Sequence, residues 1–226
     1  YAMEFLLRAK QAGAAVPPQA IDDGVKFLAD AADGNGDGQR WLASQAYRLY
    51  VLALAGHGRP GAARVLATQL DAIPTPLAKA QLAAALALAH DRPRAEAAFT
   101  AALDAPTRNW WSYDYGTALR DQAAIIVLLK ESGLLADRLP ALVAKLPGAD
   151  LSPNAISTQE QAWAAAAAAV LGRNGQPAHI SLDGGITLTA PTITLALARP
   201  QDLRNLGAAA VWQSVSASGV PATPVP

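Results

Sequence analysis

The sequence predicts a mainly α protein of stacked helical hairpins, a solenoid or an α/α toroid, that ends in a short β-strand appendage. Three observations carry this. From Tyr1 to about Gly172 apolar residues recur at helical spacing, punctuated by Pro and Gly. Alternate helices differ in kind, one apolar all round and the next apolar along one stripe. Beyond Gly175 the pattern turns to period two, rich in β-branched residues.

The periodicity places helices over 1–13, 18–32, 39–56, 59–72, 76–90, 92–104, 115–132, 135–146 and 157–172. The breaks fall at Pro17-Pro18, Gly34 to Gly38, Gly56 to Pro60, Pro74 and Pro76, Pro93, Pro106, Gly133, and Pro147 to Pro153. Pro18, Pro60 and Pro93 suit a first helical turn, where the missing N–H has no intrahelical partner to lose. Ser157-Thr158-Gln159-Glu160 reads as a capping box, with Ser157 at the N-cap and Glu160 three residues on.

Tyr1 to Ala9, Trp41 to Ala55, Leu77 to Ala89, Ala123 to Leu129 and Ala162 to Leu171 are nearly apolar on every side. Between them, segments such as Ile21-Asp22-Asp23-Gly24-Val25-Lys26-Phe27-Leu28 keep a polar face. A helix apolar on all sides is covered on all sides, and a striped one meets water. Short connections then imply hairpins in two layers, each hairpin taking roughly 35–45 residues. His179 to Leu182, Ile186 to Thr189 and Thr192 to Leu197 read as strands, with Asp183-Gly184-Gly185 as a tight turn. Leu206 to Val215 offers a further strand, and Val220 to Pro226 an extended Pro-rich end.

Composition narrows function. Eighteen basic residues balance eighteen acidic ones, so no long-range field draws the chain to nucleic acid or an anionic membrane. The run Ala162 to Leu171 is too short to cross a bilayer, which takes about 20 residues. There is no cysteine, which excludes disulfides, thiolate chemistry and a thioester within these 226 residues. The opening inside a periodic apolar segment suggests a fragment.

Candidate sites are few. Asp33, Asn35, Asp37 and Gly38 imitate half a calcium loop, but Ser44 stands where the bidentate Glu is needed and Arg40 where an aliphatic belongs. A polar turn is expected there. Trp110-Trp111-Ser112-Tyr113-Asp114-Tyr115 could stack a ring, and is expected instead to plug one end of the helical barrel. Arg120 and Asp121 are expected to pair and to satisfy nearby backbone groups. His57, His90 and His179 lack metal-ligand spacing, and no nucleophile elbow or phosphate loop is present. Asp22, Asp23, Asp114, Asp121, Glu131 and Glu160 cannot be paired from sequence, which leaves open the two-carboxylate chemistry of toroid glycosidases. No catalytic, cofactor-binding or metal residue, and no cofactor, is assigned.

Several segments resemble bacterial alpha-2-macroglobulins, in the order found there. They are Tyr1-Ala2-Met3-Glu4-Phe5-Leu6-Leu7-Arg8-Ala9-Lys10 with Gly13 and Val16-Pro17, Tyr113-Asp114-Tyr115-Gly116 with Leu119-Arg120-Asp121-Gln122-Ala123, Ser157 to Trp163, Leu182-Asp183-Gly184-Gly185, and Ser218-Gly219-Val220-Pro221. The resemblance implies an incomplete α/α toroid over 1–175, the later part of the thioester-containing helical domain. Residues 176–226 would then begin a β-sandwich module. It further implies a structural and interaction role, without catalysis, in a periplasmic or cell-envelope protease trap of host defence. Partners would be target proteases and adjacent β-sandwich modules, with no nucleic acid and any membrane anchor outside this stretch. The thioester Cys and Gln of the family fall upstream of Tyr1. The rival readings are an α/α-toroid carbohydrate-active enzyme and a helical-repeat peptide-binding scaffold.

Overall fold

The structure, a computed structural model, describes residues 1–34, 36–106, 114–146, 156–172, 177–191, 193–196, 199–208 and 211. Asn35, most of the aromatic stretch from Trp110, the Pro147 to Pro153 break and the Val220 to Pro226 end lie outside the described residues. The chain divides into two compact units, Tyr1–Leu171 and Gly172–Pro226.

The first unit is helical: α1 Ala2–Gln11, α2 Pro18–Asp33, α3 Gly38–Leu54, α4 Pro60–Ala67, α5 Pro76–Leu88, α6 Arg92–Leu103, α7 Ala118–Ser132, α8 Leu139–Val143 and α9 Thr158–Gly172. Short 3-10 turns at Leu70–Ala72 and Ala136–Arg138 shorten the expected fourth and eighth helices. Local chemistry fixes the ends. The Thr75 hydroxyl accepts the Ala78 N–H at 3.1 Å, just ahead of Pro76 in the first turn of α5. Gly133 ends α7 in the left-handed region, where the lack of a Cβ removes the steric cost.

The two-layer expectation holds at the centre. The α5 segment Leu77 to Leu86 is buried except Lys79, and Ala123 to Leu129 of α7 is buried throughout. By contrast α2 buries only Ile21 and Ala32, and α6 buries the stripe Ala95, Ala98, Phe99 and Ala102. Helix α5 packs on α3, α4, α6 and α7, and its alanines keep those approaches close. The expectation fails at the two outer helices of the apolar set. In α1 Phe5 is 69% exposed, and α9 buries only Glu160, Trp163, Ala167 and Val170. Helix α1 packs chiefly on α2 and α3, and among the described residues nothing covers Phe5 on its other side. An apolar helix needs neighbours all round to be buried all round.

The second unit holds a three-stranded antiparallel sheet in the order β2-β1-β3. Strand β1 is Ala178–Leu182, β2 is Ile186–Ala190 and β3 is Leu203–Asn205. Asp183 and Gly184 take φ of 48° and 71°, and Gly185 N–H donates to Leu182 O at 3.0 Å, so the expected hairpin turn is present. The register sets Ala178, Ile180 and Leu182 opposite Ala190, Leu188 and Ile186, which gathers the apolar side chains on one face.

The third strand is a correction. Residues 193–196 are not strand, and Thr192 and Leu197 lie outside the described residues. Nor are Leu206 to Ala208 or Val211 strand. The partner of β1 is fixed instead by Asp183, whose Oδ1 accepts Asp202 N–H at 2.9 Å and whose Oδ2 accepts Arg199 at 2.7 Å. That carboxylate steers residues 203–205 alongside β1, while Pro191 and Pro200 cannot donate to a ladder.

Candidate functional site

Four of the buried polar groups of the first unit, Glu4, Arg120, Asp121 and Glu160, belong to one connected system on α1, α3, α7 and α9, in two clusters joined at Gln159.

The first cluster surrounds Glu4, which is 4% exposed on α1. Its Oε2 accepts the Tyr47 hydroxyl at 2.8 Å, and its Oε1 accepts Arg8 Nε at 3.0 Å and the Tyr50 hydroxyl at 3.5 Å. Arg8 sits one turn along and faces the same way. It grips Glu131 of α7 with both Nη groups, at 2.6 and 3.1 Å, and Nη2 also donates to the Tyr50 oxygen at 2.9 Å. Burial works to lower the Arg8 pKa, but the Glu131 bond and its anionic surroundings outweigh it and the net shift is upward. Burial first, and Glu4 second, push the Tyr47 and Tyr50 phenols up. Both tyrosines therefore stay neutral donors.

The second cluster surrounds Arg120, which is 1% exposed at the start of α7. Its Nε and Nη2 donate to Asp121 Oδ1 at 3.0 and 2.6 Å, and Nη2 reaches Asp114 Oδ2 at 2.8 Å. Its Nη1 donates to the Asp114 carbonyl at 2.8 Å and to Gln159 Oε1 at 3.2 Å. The same Gln159 oxygen accepts the Tyr1 hydroxyl at 3.4 Å, and the Tyr1 ring lies 5.4 Å from that of Tyr47. This joins the two clusters.

Glu160 closes the system. Its Oε1 accepts the Thr117 hydroxyl at 2.6 Å and its Oε2 the Ser157 N–H at 2.6 Å, while Glu160 N–H donates to Ser157 Oγ at 3.3 Å. The expected capping box is therefore formed. Burial would raise the Glu160 pKa, but the bonds from Thr117 and Ser157 overcome it and hold the carboxyl below the ordinary range. Ser157→Ala is expected to cost about 1 kcal/mol, read as a lower urea midpoint at unchanged slope. A depressed carboxyl contributes stability above its unfolded pKa and loses it as pH falls through the folded value. Urea midpoints on acidification are expected to decline less steeply in Glu160→Gln than in the wild type, and parallel declines would contradict the assignment.

Of the residues singled out from sequence, Arg120 and Asp121 pair as expected, and Arg120 also satisfies a backbone carbonyl. Asp33 forms an ion pair with Arg59, and Asp37 takes the N-cap position of α3. Tyr115 is exposed at a φ of 51°. His57 lies in the connection between α3 and α4, His90 in that between α5 and α6, and His179 in β1. Glu4, Arg8, Tyr47 and Tyr50 were missed, although Glu4-Arg8 at i,i+4 and Tyr47-Tyr50 at i,i+3 each put two polar tips on one face of an apolar helix. Chemically the system is a brace. Glu4 of α1 and Glu131 of α7 are bonded to the same guanidinium rather than held apart across an open site. Among the described residues no three His, Cys, Asp or Glu side chains gather to hold a metal ion.

No protein-family model matches the chain. The chain is similar over its whole length to alpha-2-macroglobulin of Escherichia coli strain K12, at 28% identity over 260 aligned residues. It spans 15% of that protein. The crystal structure of Salmonella alpha-2-macroglobulin reacted with methylamine matches 91% of the chain and 14% of its own, at 29% identity and a TM-score of 0.71. Escherichia coli alpha-2-macroglobulin activated by porcine elastase matches 91% of the chain and 19% of its own, at 28% identity and a TM-score of 0.68. In sequence from end to end, and in fold over most of its length, the chain is similar to the bacterial alpha-2-macroglobulins.

Proposed function

We propose that this chain is a structural and interaction segment of a bacterial protease trap, without chemistry of its own, working in the periplasm or cell envelope. The observation that carries the reading is the end-to-end match to alpha-2-macroglobulin of Escherichia coli. In this reading the helical unit is part of the thioester-containing toroid, and the β unit is part of a sandwich module. Proteases are partners through the longer protein: one cuts a bait segment, the protein rearranges, and a thioester elsewhere acylates an attacking amine. A thioester is a reactive acyl donor that survives only where water is kept out. The helices here contribute to that enclosure, and the brace from Glu131 through Arg8 and Glu4 to Gln159 keeps their spacing while other parts move. With no cysteine, the chain cannot supply the acyl sulfur. No helix among the described residues is long and apolar enough to cross a membrane.

The test uses the longer protein that carries this chain, mixed with elastase. A trap is expected to block digestion of a large protein substrate while cleavage of a small chromogenic peptide continues. After methylamine treatment, no peptide of this chain is expected to gain mass. Undiminished digestion of the large substrate, or methylamine carried on residues 1–226, would each refute the reading.

A further inference from the structure

The outer helices carry a second polar feature, unrelated to the inner brace. Arg64, Ala67, Thr68, Leu70, Arg94 and Ala97 line an open groove of about 110 Å³ between α4 and α6. Its two cations share one anchor. Asp91, buried at the N-cap position of α6, accepts Arg64 Nε at 2.7 Å and Arg94 Nη1 at 3.1 and 3.3 Å. The bond from Arg64 holds the Asp91 carboxyl below its ordinary range, against the opposing pull of burial. The anchor stays ionised and holds one nitrogen of each half-exposed guanidinium.

One carboxylate for two guanidiniums leaves a surplus positive charge. Arg64 keeps both Nη groups, and Arg94 its Nε and Nη2, without another partner among the described residues. Arginine side chains at a surface ordinarily lose rotamer freedom when they bind, and here the bonds to Asp91 already take up part of that loss. Guanidinium N–H pairs match the two oxygens of a carboxylate in one plane. The remaining walls, Ala67, Leu70 and Ala97, are apolar and suit a hydrocarbon stem better than a fully hydrated inorganic ion. We propose that this groove binds an aliphatic carboxylate, either a small free acid or the acidic side chain of a protein segment.

Nuclear magnetic resonance of the full chain tests this, following the Arg64 and Arg94 Nε–H signals and the Thr68 and Ala97 amides. Sodium butyrate is expected to move all four saturably, against sodium chloride at equal ionic strength. Affinity is expected to fall about tenfold or more in Arg64→Gln with Arg94→Gln, and to be unchanged in Arg92→Gln, whose side chain pairs with Glu96. Ala97→Glu is expected to fill the groove from within, abolishing the butyrate response while the remaining amide signals keep their positions. That variant keeps the test decisive if the double variant does not fold. A blocked Ala-Glu-Ala tripeptide distinguishes the sources: tighter binding than butyrate assigns a protein side chain, and weaker binding a small free acid. Shifts that never saturate, that persist in Ala97→Glu, or that sulfate reproduces more tightly than butyrate would overturn the proposal.

Discussion

Arg120→Met is expected to destabilise the helical unit by about 3–5 kcal/mol, the range for removing one partner of a buried ion pair. The loss comes less from the contacts of Arg120 than from what it leaves behind. Asp121 is 3% exposed and would keep a carboxylate with its main cation gone. The Asp114 carbonyl and Gln159 Oε1 would lose a donor as well. Replacing Asp121 by Leu in the same variant is expected to recover part of the loss, because the buried carboxylate is then gone together with its cation. Urea unfolding at neutral pH measures both, and a single-variant loss under about 1 kcal/mol would mean that water reaches the pair.

Phe99→Ala is expected to cost about 3–5 kcal/mol and Phe27→Ala close to nothing, although both phenylalanines sit on outer helices. Phe99 is fully buried in the apolar stripe of α6, where truncation opens a cavity. Phe27 of α2 is 72% exposed and already meets water. Equal midpoint shifts for the two would contradict the layer arrangement.

Much of this contrast was visible in the sequence, because patterning reports how many sides of a helix are covered. Leu77 to Leu86 could hardly be read otherwise. The same reasoning misjudged α1 and α9, since a pattern tells what a helix could bury and not what stands beside it. The strand at Leu203–Asn205 was hidden for a related reason: three residues give no alternation, and their place is set by Asp183 some twenty positions earlier. The brace was least legible. Arg120 and Asp121 are adjacent and drew attention, whereas Tyr47 meets Glu4 across 43 positions and Arg8 meets Glu131 across 123. Only the stacking of hairpins brings those groups together.

Glu160 gives one carboxylate oxygen to the Thr117 hydroxyl, which caps α7, and the other to the Ser157 N–H, at the cap of α9. Helix ends in most proteins fray separately, each on its own schedule. Here the first turns of two helices far apart in sequence are tied to a single anion, so loosening either one strips a partner from the other. The two openings are coupled into one event. Amide exchange at Arg120 and at Glu160 would then share a single opening free energy, and protonation of that anion would release both helix starts in the same step.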